Sequence, residues 1–284
     1  MNATTPGRLH VVATPIGNLG DLSPRALETL RSAALVAAED TRHTRQLLAA
    51  FGVTAKLVAL HEHNEAEQCA QLVARLRGGE DVALVSDAGT PLVSDPGFRL
   101  VRAARAADIP ISPVPGACAA IAALSVAGLA SDRFVFEGFL PSKAAARRER
   151  LRVLASESRT LIAYESSHRI LDSLRDMAVA FGANRHAVVA RELTKHFETV
   201  LDGSLESLVA RLEADSDQQR GEFVVIIEGA ADEDADAALV LGRRIFTTLR
   251  EHLSPSQAAR LAAEISGAPR KALYGPASAP QDTH

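Results

Sequence analysis

The stretch LVSDAGTPLVSDPG, residues 84 to 97, ends an apolar run in Asp87, Ala88, Gly89, Thr90 and Pro91. A carboxylate, a hydroxyl and a glycine at a strand end can hold sugar hydroxyls or an amino group and let a ligand approach the backbone. Comparable polar clusters close the other apolar runs: Thr14-Pro15-Ile16-Gly17-Asn18, Glu39-Asp40-Thr41-Arg42-His43, His61-Glu62-His63-Asn64-Glu65 and Pro115-Gly116-Ala117-Cys118. The second half adds Tyr164-Glu165-Ser166-Ser167-His168-Arg169 and Arg191-Glu192-Leu193-Thr194-Lys195. Any one of these reads as a cap or solvated turn, and Asp87 alone could be a turn cap. Gathered on one sheet edge, they read as a cleft.

Several chemistries fall away on motif grounds. No G-x-G-x-x-G or G-x-x-x-x-G-K-[ST] occurs, so a phosphate cradle is disfavoured, and no G-x-S-x-G elbow offers a serine nucleophile. His61 and His63 alternate as strand residues do and could present both imidazoles together, but no third ligand stands at metal spacing, and no metal is expected. What remains suits an uncharged base, a ribose and an amino-acid head. With 31 Lys and Arg against 35 Asp and Glu, a net charge of -4 excludes a nucleic-acid coat protein and leaves room for local basic patches. One such patch is Lys143, Arg147, Arg148, Arg150 and Arg152 against Glu149; another is Arg243, Arg244, Arg250, Arg260, Arg270 and Lys271 near the end. Nine Phe, two Tyr and no Trp speak against an extended base-stacking platform.

The elements that must position these residues alternate. Apolar runs at 9–14, 35–38, 56–60, 82–86 and 109–114 are separated by amphipathic segments, a βαβ rhythm without strand alternation that predicts a parallel sheet covered on both faces. Asn64 is placed to cap a helix whose apolar positions Cys69, Leu72, Val73 and Leu76 keep helical spacing up to Gly78-Gly79. Runs at 134–140, 160–166, 186–194, 196–203 and 222–229 predict a second, mixed sheet with a hairpin. The expected divisions are an N-terminal lobe at 1–118, a C-terminal lobe at 119–230, an acidic linker at 231–238 and a helix-turn-helix-like tail at 239–284, where Ser254-Pro255 opens a helix. Cys69 and Cys118 sit in no C-x-x-C, which fits a reducing cytoplasm, and the absence of a signal peptide or a run near the ~20 residues of a membrane span predicts a soluble, cytoplasmic chain.

The segments TPIGNLGDLSPRAL, AAEDTRHTR, LHEHNE, LVSDAGTPLVSDPG, PVPGACAAIAAL, EGFLPSK, YESSHRILDSL and ARELTKHFET resemble the ribosomal-RNA branch of the tetrapyrrole (corrin/porphyrin) methylase family, in unbroken order from residue 9 to about 275. The resemblance implies a two-lobed α/β fold, with a parallel-sheet N-terminal lobe, a mixed-sheet C-terminal lobe and a small helical tail. It also implies S-adenosylmethionine as cofactor, a homodimer, and 2'-O-methylation of a cytidine ribose in 16S ribosomal RNA of the small subunit. Carried over, its cofactor contacts fall on Pro15, Asp87, Ala88, Gly89, Thr90, Ser94, Ala117, Cys118, Tyr164, Glu165, Leu193 and Glu222. Asp40, Arg42, His43 and His61 are the candidates for the chemical step, with Glu39 and His63 as further candidate bases, and Arg42 beside Asp40 is expected to keep that carboxylate ionised. Arg42, His63, Asn64, Lys143, Arg147, Arg148, Arg169 and Lys195 are the candidates for RNA contact. A methylase of a small tetrapyrrole is the nearest alternative, weakened by Pro15-Ile16-Gly17-Asn18 standing where those enzymes carry G-x-G-P-G. A non-catalytic ribosome-binding or assembly protein is another.

Overall fold

The computed structural model describes residues 5–61, 64–231 and 233–274, with the backbone alone for 233–237. The chain divides into two compact units, Met1–Gly229 and Ala230–His284.

The first unit holds two five-stranded sheets. The N-terminal one comprises β1 (Leu9–Val12), β2 (Leu35–Ala38), β3 (Leu57–Ala59), β4 (Val82–Val85) and β5 (Ile111–Val114), all parallel, in the order β3-β2-β4-β1-β5. Its period of two is hidden in the sequence because both faces are apolar. Leu35, Ala37, Val82 and Leu84 face α3 (Glu65–Arg77) and α4 (Phe98–Ala106), whereas Val36, Ala38, Ala83 and Val85 face α1 (Pro24–Ser32) and α2 (Thr41–Ala50). The strand order makes the chain leaving β1 pass over β4 and the chain leaving β4 pass over β1. Where they cross, Thr14 and Gly89 exchange backbone bonds of 2.8 and 3.1 Å.

The second sheet runs β6 (Phe134–Phe139), β7 (Thr160–Ser166), β10 (Glu222–Ile227), β8 (His186–Arg191) and β9 (Thr199–Ser204); β6 and β7 are parallel and the remaining pairs antiparallel. The expected mixed sheet and the β8-β9 hairpin are both present. One face packs on α6 (Ala144–Leu154), α7 (Ile170–Phe181) and α8 (Leu205–Ala214), and the other on the short, small-residue α5 (Ala119–Val126).

Two local expectations are corrected. Asn64 does not cap α3 with its side chain; Oδ1 accepts from His61 N at 2.9 Å and Nδ2 donates to Ala59 O at 3.0 Å, closing the turn after β3 instead. The next residue, Glu65, is 6% exposed and reaches across to α4, accepting from Gly97 N at 3.2 Å and Arg99 N at 2.8 Å. A carboxylate there suits the positive end of the helix dipole.

In the second unit, α9 (Glu233–Leu249) and α10 (Pro255–Ser266) enclose a small core of Phe246, Ala258, Ala259, Ala262, Ala268 and Leu273. Ser254 caps α10 and Gly267 ends it at φ 77°. The 231–238 stretch read as a linker is taken up mainly by the first turns of α9, because its alanines are strong helix formers.

Glu65→Ala leaves two amides at the start of α4 without their acceptor and is expected to lower stability by about 2–3 kcal/mol, with Glu65→Gln retaining most of it. Urea midpoints check this; an unchanged midpoint for the alanine variant contradicts the capping role.

Candidate active site

The carboxyl edge of the parallel sheet faces one edge of the second sheet across a cleft of about 450 Å³. Ile16, Glu39 and the 87–90 loop come from the first sheet, Cys118 and Ala119 from the start of α5, and Tyr164, Ala190, Leu193 and Val224 from the second. The register aligns these last contributions, since Val224 pairs with both Tyr164 and Ala190. Crosslinks fix the walls: Thr90 Oγ1 donates to Ala117 O at 3.0 Å, and Ala120 N donates to Tyr164 Oη at 3.1 Å. Gly89 has φ 82°, and a Cβ there would sit 3.3 Å from Ile16 Cγ2, so glycine alone keeps both this turn and the close loop crossing. Apart from Asp108, every left-handed non-glycine residue among those described lies in two loops bordering the cleft: Leu92 and Ser94, then Glu192 and Thr194. Such strain persists where the surrounding structure over-determines the backbone, as happens at binding sites.

One wall is acidic. Asp87 Oδ1 accepts from Asp40 N at 2.9 Å, and Asp87 N donates to Glu39 Oε2 at 3.3 Å. Asp95, from the Ser-Asp-Pro-Gly turn, completes the group; its carboxyl is pushed up to about 6, chiefly by burial and further by the Glu39 and Asp87 charges, while a bond from Ser86 pulls the other way. Burial also raises Tyr164, keeping its phenol protonated. In the loop after β8, Lys195 Nζ bridges Glu192 and Glu222.

Of the expected cofactor contacts, Asp87, Ala88, Gly89, Thr90, Ser94, Cys118, Tyr164, Glu165, Leu193 and Glu222 line this cleft; Pro15 and Ala117 are not in its lining. The Glu165 carboxylate is engaged elsewhere, accepting from Ser173 Oγ at 2.5 Å and Arg169 Nη2 at 3.1 Å, so this residue meets the cleft without a free acid. Glu39, a candidate base, also lines it, as do Ile16, Val93, Asp95 and Phe139, which were missed. The repeated Ser-Asp in the loop was the available signal for Asp95.

Asp40, Arg42, His43 and His61 lie outside the lining. Asp40 caps α2 through Arg42 N at 2.7 Å and holds the Arg42 guanidinium at 2.7 Å, which keeps its carboxyl well below the usual range and makes it a poor base. His43 is exposed on α2, and His61 N closes the turn with Asn64. Among the RNA candidates, His63 lies outside the described residues. Arg147 is buried and paired with Asp176 at 2.7 Å, and Arg169 donates to Leu140 O at 2.6 Å; both are internal braces rather than surface cations. Arg148 shares Asp176, Arg150 pairs with Glu137 and Arg152 with Glu149, so the basic helix is largely neutralised from within the unit. Lys143 is exposed, with no ion pair among the described residues.

Residues 8–209 match the family model described as Tetrapyrrole (Corrin/Porphyrin) Methylases. The chain belongs to the tetrapyrrole methylase family. Residues 229–278 further match a model described as RsmI C-terminal HTH domain. A protein of Xylella fastidiosa (strain Temecula1) named Ribosomal RNA small subunit methyltransferase I is 65% identical, over 96% of this chain and 99% of its own length. The protein of that name from Escherichia coli O157:H7 is 51% identical over 94% and 93%. Among solved structures, a uroporphyrin-III C-methyltransferase of Thermus thermophilus complexed with S-adenyl homocysteine aligns at a TM-score of 0.53 and 20% identity, over 78% of this chain and 97% of that one, and shares the tetrapyrrole methylase fold.

A carboxyl whose pKa rises on folding holds its proton more tightly in the folded chain, so Asp95 lowers stability as pH climbs from 3.8 to about 6. Asp95→Asn removes that dependence. It is expected to be more stable than the parent at about pH 7.5, with the gain fading below about pH 4; equal stability throughout, by denaturant titration, contradicts the buried-acid assignment.

Proposed function

We propose that the chain is an S-adenosylmethionine-dependent methyltransferase acting on the 2'-hydroxyl of a cytidine ribose in 16S ribosomal RNA of the small subunit, as a cytoplasmic homodimer. The observation that carries this reading is the end-to-end likeness, tail included, to proteins named for small-subunit ribosomal RNA methylation. Exposed Ile121, Val126 and Phe139 offer apolar surface for self-association.

The cleft fits the cofactor on physical grounds. Its acidic wall of Glu39, Asp87 and Asp95 suits a cation, Leu193, Ala190 and Val224 supply apolar surface for a purine, and Gly89 permits close backbone approach. When bound, the cofactor supplies a methyl group on a positively charged sulfur. The chain's own contribution is alignment for in-line displacement, exclusion of water, and a place for the hydroxyl proton. Asp95 is the acceptor this reading assigns, since among the acids lining the cleft its surroundings raise its affinity for a proton. Asp40 is unsuited, being held ionised by Arg42.

Labelled methyl transfer to purified small subunits, with the modified nucleoside mapped, tests the reading. The parent is expected to label one cytidine ribose, and Asp95→Asn to lower kcat by roughly 10²-fold without losing cofactor binding. Transfer to a tetrapyrrole precursor in place of RNA contradicts it.

A further inference from the structure

Lys195 is the one cation lining the cleft among the described residues, and its position is over-determined. Nζ lies 2.8 Å from Glu192 Oε1 and 2.7 Å from Glu222 Oε2. Its stem crosses Gly17 in the loop after β1, where any Cβ would collide with Lys195 Cγ. The supporting backbone is strained at Glu192 (φ 49°) and Thr194 (φ 66°) and is fastened on both sides. Glu192 N donates to Glu222 O at 2.9 Å, Glu222 N to Glu192 Oε1 at 3.0 Å, and Thr194 N to Glu198 Oε2 at 2.6 Å.

The two carboxylates holding Lys195 differ in kind. The Glu192 side chain is 16% exposed and also accepts a backbone bond, whereas that of Glu222 is 78% exposed. An ion pair on the solvent side is weak and exchanges readily with another anion. The wall built from the loops of the first sheet carries Glu39, Asp87 and Asp95. A nucleic-acid strand that delivers a ribose here is repelled along that wall and finds a compensating charge at Lys195.

We propose that Lys195 positions the target nucleotide by taking the phosphate beside its ribose, releasing Glu222 in exchange while Glu192 and the Gly17 loop keep its stem in place. Glu222 is then a built-in competitor for the substrate phosphate, displaced by a strand that is correctly seated and retained against one that is not. This rests on the reading that the chain methylates ribosomal RNA.

The test is steady-state kinetics on purified small subunits for Lys195→Ala, Lys195→Arg, Glu222→Gln and the Lys195→Ala/Glu222→Gln pair, with cofactor affinity followed by calorimetry. Lys195→Ala is expected to raise KM for the subunit roughly tenfold and to reduce the slope of log affinity against log salt by about one, with cofactor affinity unchanged. Lys195→Arg recovers most of the loss. Glu222→Gln lowers KM in the parent and does nothing once Lys195 is gone, the coupling that a double-mutant cycle detects. An unchanged KM and salt slope in Lys195→Ala, an equal loss of cofactor affinity, or a Glu222→Gln effect independent of Lys195 each overturns the exchange. A parent that binds cofactor yet methylates no subunit overturns the functional reading itself.

Discussion

The structure of the cleft depends on a reciprocal pair of backbone bonds. Thr14 and Gly89, at the ends of β1 and β4, pair beyond the sheet proper because strand order forces their loops to cross. A side chain at Gly89 would press on Ile16 and violate its left-handed backbone. From that crossing a chain of contacts runs outward: Thr90 to Ala117, then Ala120 to Tyr164 in the second sheet. Two sheets with separate cores are thereby joined at one polar rim, where rigid elements aim the side chains.

Charge follows the same division. Strand ends of the parallel sheet bring three acids to the cleft, and a strained loop of the mixed sheet brings a lysine held between the carboxylates of Glu192 and Glu222. The family fold supplies the room between them, and the side chains decide what each side attracts.

The fold was legible because its signals are local. Apolar runs closed by polar turns, the Ser23-Pro24 and Ser254-Pro255 starts, and the Gly78-Gly79 stop each report on a few neighbouring residues. Many of the residues that line the cleft were legible too, since strand ends are marked in sequence and the family resemblance pointed to them. What failed were inferences about partners distant along the chain. Arg147 looked like an RNA contact until α7 supplied Asp176. Asp95 was overlooked for the same reason: charge type is visible in sequence, as is Arg42 beside Asp40, but the burial that raises Asp95 is not.

The central claim is that the rim where β1, β4 and β5 end holds S-adenosylmethionine against the edge of the second sheet. Amide hydrogen exchange of the intact chain, with and without that compound, tests it most directly. The account predicts new protection in the segments around 14–18, 87–95, 117–120 and 190–195 at one molecule bound per chain. Binding without protection there, or no binding at all, contradicts it.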